Sequence, residues 1–149
     1  MKPKEKKVGL KLNKSKIVSE IRKMFKPYGA TFVDLADGKR SDIEALLNYY
    51  GAPLRFIGPN FHIIMVDNAA ITGPDGMGGE IDKLHKAHFA GSTLGKCDIK
   101  VLNAQAALVN ALWLRHDDAG KLMARFGVIY LVALTTEGWR ITSAVNISE

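Results

Sequence analysis

The sequence predicts an α+β protein in which N-terminal helices pack on one face of an antiparallel sheet. Two observations lead to this prediction. Apolar residues recur every three or four positions near the N-terminus, which is the period of an amphipathic helix. After residue 95, four β-rich runs joined by short turns are typical of an antiparallel sheet. A chain of 149 residues with 47% apolar residues is long enough for one such domain with its own core.

The first helix is predicted from a single apolar stripe. Its members are spaced by three or four residues and are Ile17, Ile21, Phe25, Tyr28, Phe32 and Leu35. Pro27 stands within the stripe and removes one backbone hydrogen bond, but the phase of the stripe is the same on both sides of it. We therefore expect one kinked helix rather than two, ended by residues 37–40.

Shorter elements are expected between this helix and the sheet. A second helix is predicted from Ser41, with Ser41 and Glu44 as a capping box and Gly51 as its stop. Residues 54–65 predict a β-hairpin with its turn at 58–60. The glycine-rich residues 66–79 predict a flap or plain loop, and residues 80–91 predict a short third helix.

Four strands complete the predicted sheet, over residues 97–104, 106–116, 122–135 and 139–148. The two middle runs are apolar on both faces, whereas a strand with one face in water alternates apolar and polar residues. Helices can cover one face, so the other face requires a partner. We therefore predict a homodimer packed through the sheet faces. Val109 is taken as an outward position and Leu112 as its inward control, although strand parity alone does not distinguish the faces.

The closing segment resembles a known superfamily. Residues 137–141, Glu-Gly-Trp-Arg-Ile, form a charged turn that leads into the last strand. With residues 45–59 and 125–141, they resemble the nuclear transport factor 2-like superfamily, and within it the SnoaL-like proteins. The resemblance covers residues 15–149, so we expect one domain there, preceded by a basic tail at 1–14. It implies a cone built from a curved antiparallel sheet with helices on its concave face, and a pocket inside the cone.

The last strand is expected to pack on the long helix through one face. By the period of two, that face contains Trp139, Ile141, Ser143 and Val145.

The superfamily hosts many unrelated activities, so the resemblance implies a pocket and not a chemistry. Ketosteroid isomerase-like members carry a carboxylate base near the first hairpin, and residues 56–58 here contain none. Limonene epoxide hydrolase-like members carry an Arg-x-Asp pair in mid-sheet, and residues 112–114 are fully apolar. Two functions stay open. The first is a pocket protein acting on a small, largely apolar compound, as a cofactor-independent isomerase, lyase, cyclase or hydrolase. The second is a non-catalytic ligand-binding or dimerisation module.

His62 is the candidate general acid or base, because it lies in a predicted strand and histidine is a residue type that can act in either role near neutral pH. A structural or rim histidine is the alternative. Asn110 is a polar residue in an apolar strand, and a buried amide there must bind a neighbour or orient a ligand. Three tyrosines are predicted to bind the ligand through their hydroxyls, with core packing as the alternative: Tyr28, Tyr50 and Tyr130. Asn146 lies near the position where, by the resemblance, some enzymes of the superfamily carry an acidic residue. Asparagine cannot act as a base there, so it is predicted only to bind the ligand.

No metal or cofactor is predicted. His85 and His88 lie on one side of the expected third helix, but the sequence indicates no third ligand. The single cysteine, Cys97, excludes an internal disulfide, and a reducing cytoplasm is the expected location.

The net charge of +6 arises entirely near the N-terminus. Residues 1–26 contain ten basic and two acidic residues, whereas the remaining 123 contain eleven and thirteen. Residues 1–14 include no aromatic side chain on which a base could stack, so we expect a solvated tail without a specific nucleic-acid partner. No apolar run reaches the roughly 20 residues that span a bilayer, so no membrane insertion is expected.

Overall fold

The computed structural model describes residues 12–147 and confirms the predicted α+β fold. The basic residues 1–11 and the last two residues lie outside the described part of the chain. Within residues 12–147, no helix is long and apolar enough to cross a membrane. The elements in chain order are α1 Lys14–Ala36, a 3-10 helix Ile43–Asn48, β1 Tyr50–Gly58, β2 Phe61–Met65, α2 Asn68–Thr72, α3 Met77–Lys86, β3 Phe89–Asn103, β4 Ala106–Asp117, β5 Leu122–Thr135 and β6 Gly138–Ile147.

The six strands form one curved sheet with the order β2-β1-β6-β5-β4-β3. Strand β6 pairs parallel with β1 and antiparallel with β5, and every other pairing is antiparallel. The last strand of the chain therefore lies in the middle of the sheet. It joins the N-terminal hairpin to the three long strands that precede it.

Helix α1 begins and ends through local hydrogen bonds. The Asn13 side chain accepts from the backbone N–H of Lys16 at 3.0 Å, which caps the first turn. The helix is continuous through Pro27, as predicted. Gly38 follows its end with a φ of +88°, a conformation that glycine adopts without steric cost. Phe32 is half-buried, and the rest of the predicted stripe forms the helix's contribution to the core: Ile17, Ile21, Phe25, Tyr28 and Leu35.

The second predicted helix and its capping box are wrong. Residues 43–48 form a 3-10 helix with Asp42 at its N-cap, and no side-chain hydrogen bond caps it. The Asp42 carboxylate instead accepts two hydrogen bonds from Arg40, at 2.9 and 2.6 Å. Strand β1 then begins at Tyr50, before the expected stop at Gly51.

The loop predicted at 66–79 contains α2 and the start of α3. Its glycines allow close packing of the backbone: a Cβ on Gly78 would collide with the Thr72 carbonyl oxygen, and one on Gly79 with that of Pro74. The third helix therefore begins earlier than predicted and ends at Lys86. Phe89 already belongs to β3.

On β4, the face expected to point outward is the concave face, which packs on α1. Its residues on this strand are buried: Ala107, Val109, Ala111 and Trp113. Val109 is fully buried, so the expectation that it points outward is wrong. Leu112 lies on the convex face.

The face predicted for β6 holds only over its first half. Trp139 and Ile141 are buried, but a β-bulge between the pairs Leu131–Ser143 and Val132–Ile141 inserts one residue. A bulge reverses the side-chain parity that follows it. Ala144 is therefore buried and Val145 is exposed.

Candidate ligand-binding cavity

A narrow cavity lies between α1, α3 and the concave face of the sheet. Its volume is about 40 Å³, counted as the positions open to the centre of a water molecule. A cavity that tightly encloses a single water leaves almost no space of this kind, so this cavity suits a small ligand. Most of its wall is aromatic or apolar: Tyr28, Phe32, Tyr50, Phe56, Met77, Trp113, Phe126, Val128 and Tyr130.

Three buried tyrosines and a tryptophan form two hydrogen-bonded pairs along this wall. The Trp113 indole N–H donates to Tyr130 Oη at 2.8 Å, and Tyr28 Oη lies 2.6 Å from Tyr50 Oη. The Tyr28 ring sits at the centre, in edge-to-face contact with the rings of the other three.

The direction of one pair follows from its donor. An indole N–H can only donate, so the Tyr130 oxygen accepts and its own hydrogen is free for another acceptor. In the Tyr28–Tyr50 pair either hydroxyl can be the donor. Tyr50 and Tyr130 both line the cavity, so each can offer a hydroxyl to a ligand.

Burial raises the pKa of Tyr28, Tyr50 and Tyr130 above the ordinary tyrosine value, and neighbouring tyrosines add to the shift. A low-dielectric environment disfavours the phenolate, which is the charged form. Near neutral pH these hydroxyls are therefore neutral donors. None of them acts as a base without help from another group.

Arg115, at the end of β4, places a cation in the cavity wall. Its guanidinium carbon lies 4.5 Å from the ring centre of Phe126 and 5.9 Å from that of Phe32. Its Nε is buried without a hydrogen-bond partner, and Arg115 forms no ion pair with any residue of the range 12–147. Burial lowers the pKa of this guanidinium, but arginine starts so high that it stays charged at neutral pH.

Two further polar groups line the cavity. Asn146 Oδ1, on β6, is buried and also has no hydrogen-bond partner among the described residues. Glu80, on α3, is the one carboxylate in the described wall, and its Oε1 lies 3.4 Å from Lys83 Nζ. Aromatic surface, donors, an acceptor and an acid therefore meet in one small space.

Four of the six residues predicted to form the site line this cavity together: Tyr28, Tyr50, Tyr130 and Asn146. The other two lie elsewhere. His62, on β2, is exposed, and its Nε2 lies 3.2 Å from Arg55 Nη1. Asn110 is exposed on the convex face, so the expectation of a buried amide at that position is wrong.

Arg115 and Glu80 were not predicted from the sequence. The sequence does contain a signal for Arg115, because it is the one residue of 106–116 that is always charged near neutral pH. By the strand period of two, it also lies on the same face as Trp113. Glu80 carries no comparable signal. Its position depends on the early start of α3, which the glycine-rich sequence conceals.

The family is decided by comparison with known sequences. A family model described as "NTF2-like protein (DUF6841)" matches residues 19–149. The chain belongs to this NTF2-like family. The superfamily to which the sequence resemblance points is thereby confirmed. No curated protein sequence matches this NTF2-like chain.

Solved structures similar to this NTF2-like chain share its fold. An NTF2-like protein with a cystatin-like fold from Novosphingobium aromaticivorans has a TM-score of 0.66 at 22% identity, over 89% of this chain and 81% of that one. An NTF2-like superfamily protein from Salmonella enterica has a TM-score of 0.66 at 18% identity, over 90% and 92%. A candidate scytalone dehydratase from N. aromaticivorans has a TM-score of 0.64 at 14% identity, over 91% and 85%. Identities this low carry the fold alone.

Proposed function

We propose that this NTF2-like protein binds a small, largely apolar, ring-containing molecule in the cavity. One observation carries the proposal: two buried polar atoms in an aromatic-walled space, Arg115 Nε and Asn146 Oδ1, have no hydrogen-bond partner among residues 12–147. Leaving such an atom unpaired costs about 1–3 kcal/mol, so native proteins rarely do so. A ligand with one acceptor and one donor would satisfy both atoms while its ring contacts Phe126 and Trp113.

The test is thermal unfolding in the presence of small ring compounds. Phenol, benzamide, benzoate and salicylate at millimolar concentration are the probes. At least one of them should raise the melting temperature in proportion to RT ln(1 + [L]/Kd). Asn146→Ala should reduce the rise, and Asn110→Ala, the same change on the convex face, should not. A panel without any rise in wild-type protein would contradict the proposed function.

Catalysis by proton transfer is the second candidate, and Glu80 favours it. A carboxylate, Glu80, and a tyrosine hydroxyl, that of Tyr50, line the same cavity. A base and a donor are what an isomerase or lyase needs in order to remove a proton beside a carbonyl and hold the resulting oxyanion. The fold relationship to a candidate scytalone dehydratase is compatible with this class. In this function Glu80 takes the role that the sequence suggested for His62.

We further propose that the protein is a homodimer through its convex sheet face. Half-buried or exposed apolar side chains recur there on three neighbouring strands: Leu108, Leu112, Leu114, Ile129, Leu131, Val145 and Ile147. Soluble monomers rarely expose a contiguous patch of this kind, and a two-fold dimer is its commonest closed solution.

A further inference from the structure

The aromatic wall indicates the shape of the ligand, and the cationic side chain of Arg115 indicates its charge. Arg115 is half-buried and its Nε is enclosed. Such a position is costly, because moving a cation even partly out of water is penalised. In most proteins a carboxylate offsets this cost. Arg115 has no such partner within residues 12–147.

The groups around the guanidinium offset only part of the cost. The faces of Phe126 and Phe32 attract it, but a cation–π contact contributes about 0.5–2 kcal/mol. Glu80 is the nearest acid in the wall, and it lies close to Lys83 instead. Burial lowers the pKa of Arg115 more than the charge of Glu80 raises it.

The hydrogen-bond donors of the cavity also favour an anion. Arg115 Nε–H has no acceptor among the described residues, and the Tyr50 hydroxyl has only Tyr28 as a hydrogen-bond partner there. The Tyr50 hydrogen is free for a ligand when Tyr28 supplies the hydrogen of their mutual bond. Both Arg115 and Tyr50 line the same cavity. Charge-assisted hydrogen bonds to carboxylates are about twice as strong as neutral ones.

We propose that the ligand is a small planar organic acid whose carboxylate is bound by Arg115 and the Tyr50 hydroxyl. This inference rests on the proposed function, since it assigns a chemical class to the molecule in the same cavity. Asn146 Oδ1 then accepts a hydrogen bond from a hydroxyl or amine elsewhere on the ligand. The narrow aromatic wall restricts the acid to a single ring or a short conjugated chain.

The experiment compares acids with their amides of nearly identical shape. Benzoate, salicylate and cinnamate are titrated into the full chain by calorimetry beside benzamide, salicylamide and cinnamamide. At least one acid should bind more tightly than its amide by about tenfold or more, as expected when a hydrogen bond to a charged group replaces a neutral one. Arg115→Met should remove that preference and leave the amide affinity. Arg125→Met, which removes an exposed arginine from the neighbouring strand, should preserve it.

The outcomes separate this inference from the proposed function. If no acid and no amide binds, the proposed function itself fails. If amides bind as tightly as acids, the cavity is a ligand site, but the anionic class is wrong. An acid preference that persists in Arg115→Met would also overturn the inference. The wild-type comparison decides between these outcomes even if the variant does not fold.

Discussion

Trp139 donates its indole N–H to Glu20 Oε2 at 2.9 Å, and this contact joins the last strand to the first helix across 119 positions of sequence. The indole is buried, with 6% of its surface exposed, while the glutamate is partly in water. The arrangement explains why the chain ends on a strand. Strand β6 completes the middle of the sheet, and Trp139 fixes it to α1.

Removing the acceptor should leave the buried indole N–H unpaired. We expect Glu20→Ala to lower the free energy of unfolding by about 1–2 kcal/mol, while Glu20→Gln, which keeps an acceptor, stays close to wild type. Lys16→Ala is the control, because Lys16 and Glu20 approach to 4.0 Å on the exposed surface. Urea unfolding measures all three. Equal losses in Glu20→Gln and Glu20→Ala would contradict the role of this hydrogen bond.

The three cavity tyrosines should make the fold sensitive to high pH. Their pKa values are raised in the folded protein, chiefly by burial, from an ordinary value of 10.0. Above that pH the unfolded chain binds fewer protons than the folded one, so stability is complete below about pH 10 and falls as the pH rises. Each tyrosine contributes a slope approaching about 1.4 kcal/mol per pH unit.

Absorbance at 295 nm, which reports phenolate, should therefore show at least three tyrosines that ionise only when the protein unfolds. Urea unfolding at pH 9 and pH 11 gives the corresponding loss of stability. If all four tyrosines ionise in the folded protein with a midpoint near the ordinary value, Tyr28, Tyr50 and Tyr130 are not buried as described.

The dimer prediction now has a defined outward residue. Leu112→Lys, on the convex face, should convert the dimer to a monomer of 16.3 kDa without unfolding it. Val109→Lys is the matched change on the buried face and should prevent folding, because an unpaired charge would enter the core. Light scattering and circular dichroism distinguish the two results. A wild-type protein that stays monomeric at tens of micromolar would end the prediction.

Gly78 should not tolerate a side chain. A Cβ there would collide with the Thr72 carbonyl oxygen, whereas a Cβ on Gly91 meets nothing within 4 Å. We expect Gly78→Ala to lower the melting temperature by several degrees, although alanine favours a helix by about 1 kcal/mol over glycine. Gly91→Ala should leave it nearly unchanged. A stabilised Gly78→Ala protein would show that α2 and α3 do not pack this closely.

The fold was predictable where one periodicity dominates. The stripe from Ile17 to Leu35 and the long runs of β4 and β5 each gave the correct element, since burial of one apolar face decides their structure. Residues 66–79 gave a wrong result because glycine is a poor helix former in isolation. In the folded protein, Gly78 is in a helix since only glycine fits beside Thr72.

The site was predictable in part for a similar reason. The tyrosines combine an apolar ring with a polar tip, which is visible in sequence, whereas Asn146 is indicated only by the superfamily resemblance. Asn110 has the same local pattern and lies on the opposite face, because a period of two gives alternation but no absolute direction. Arg115 indicates a ligand site because its guanidinium has no carboxylate partner, and its Nε no hydrogen-bond acceptor, among the described residues. That is a property of three-dimensional packing, and no local pattern encodes it.

The most direct test of the cavity's role is the magnetic resonance signal of the Arg115 side chain. The chain has six arginines, and labelling them with nitrogen-15 gives one Nε–Hε correlation each, with Arg115→Lys assigning the one of interest. Salicylate should move the Arg115 correlation downfield in a saturable manner and leave that of Arg125 in place. An Arg115 correlation that no acid of the panel moves, at concentrations that saturate binding by calorimetry, would contradict the assignment of this cavity as an anion-binding ligand site.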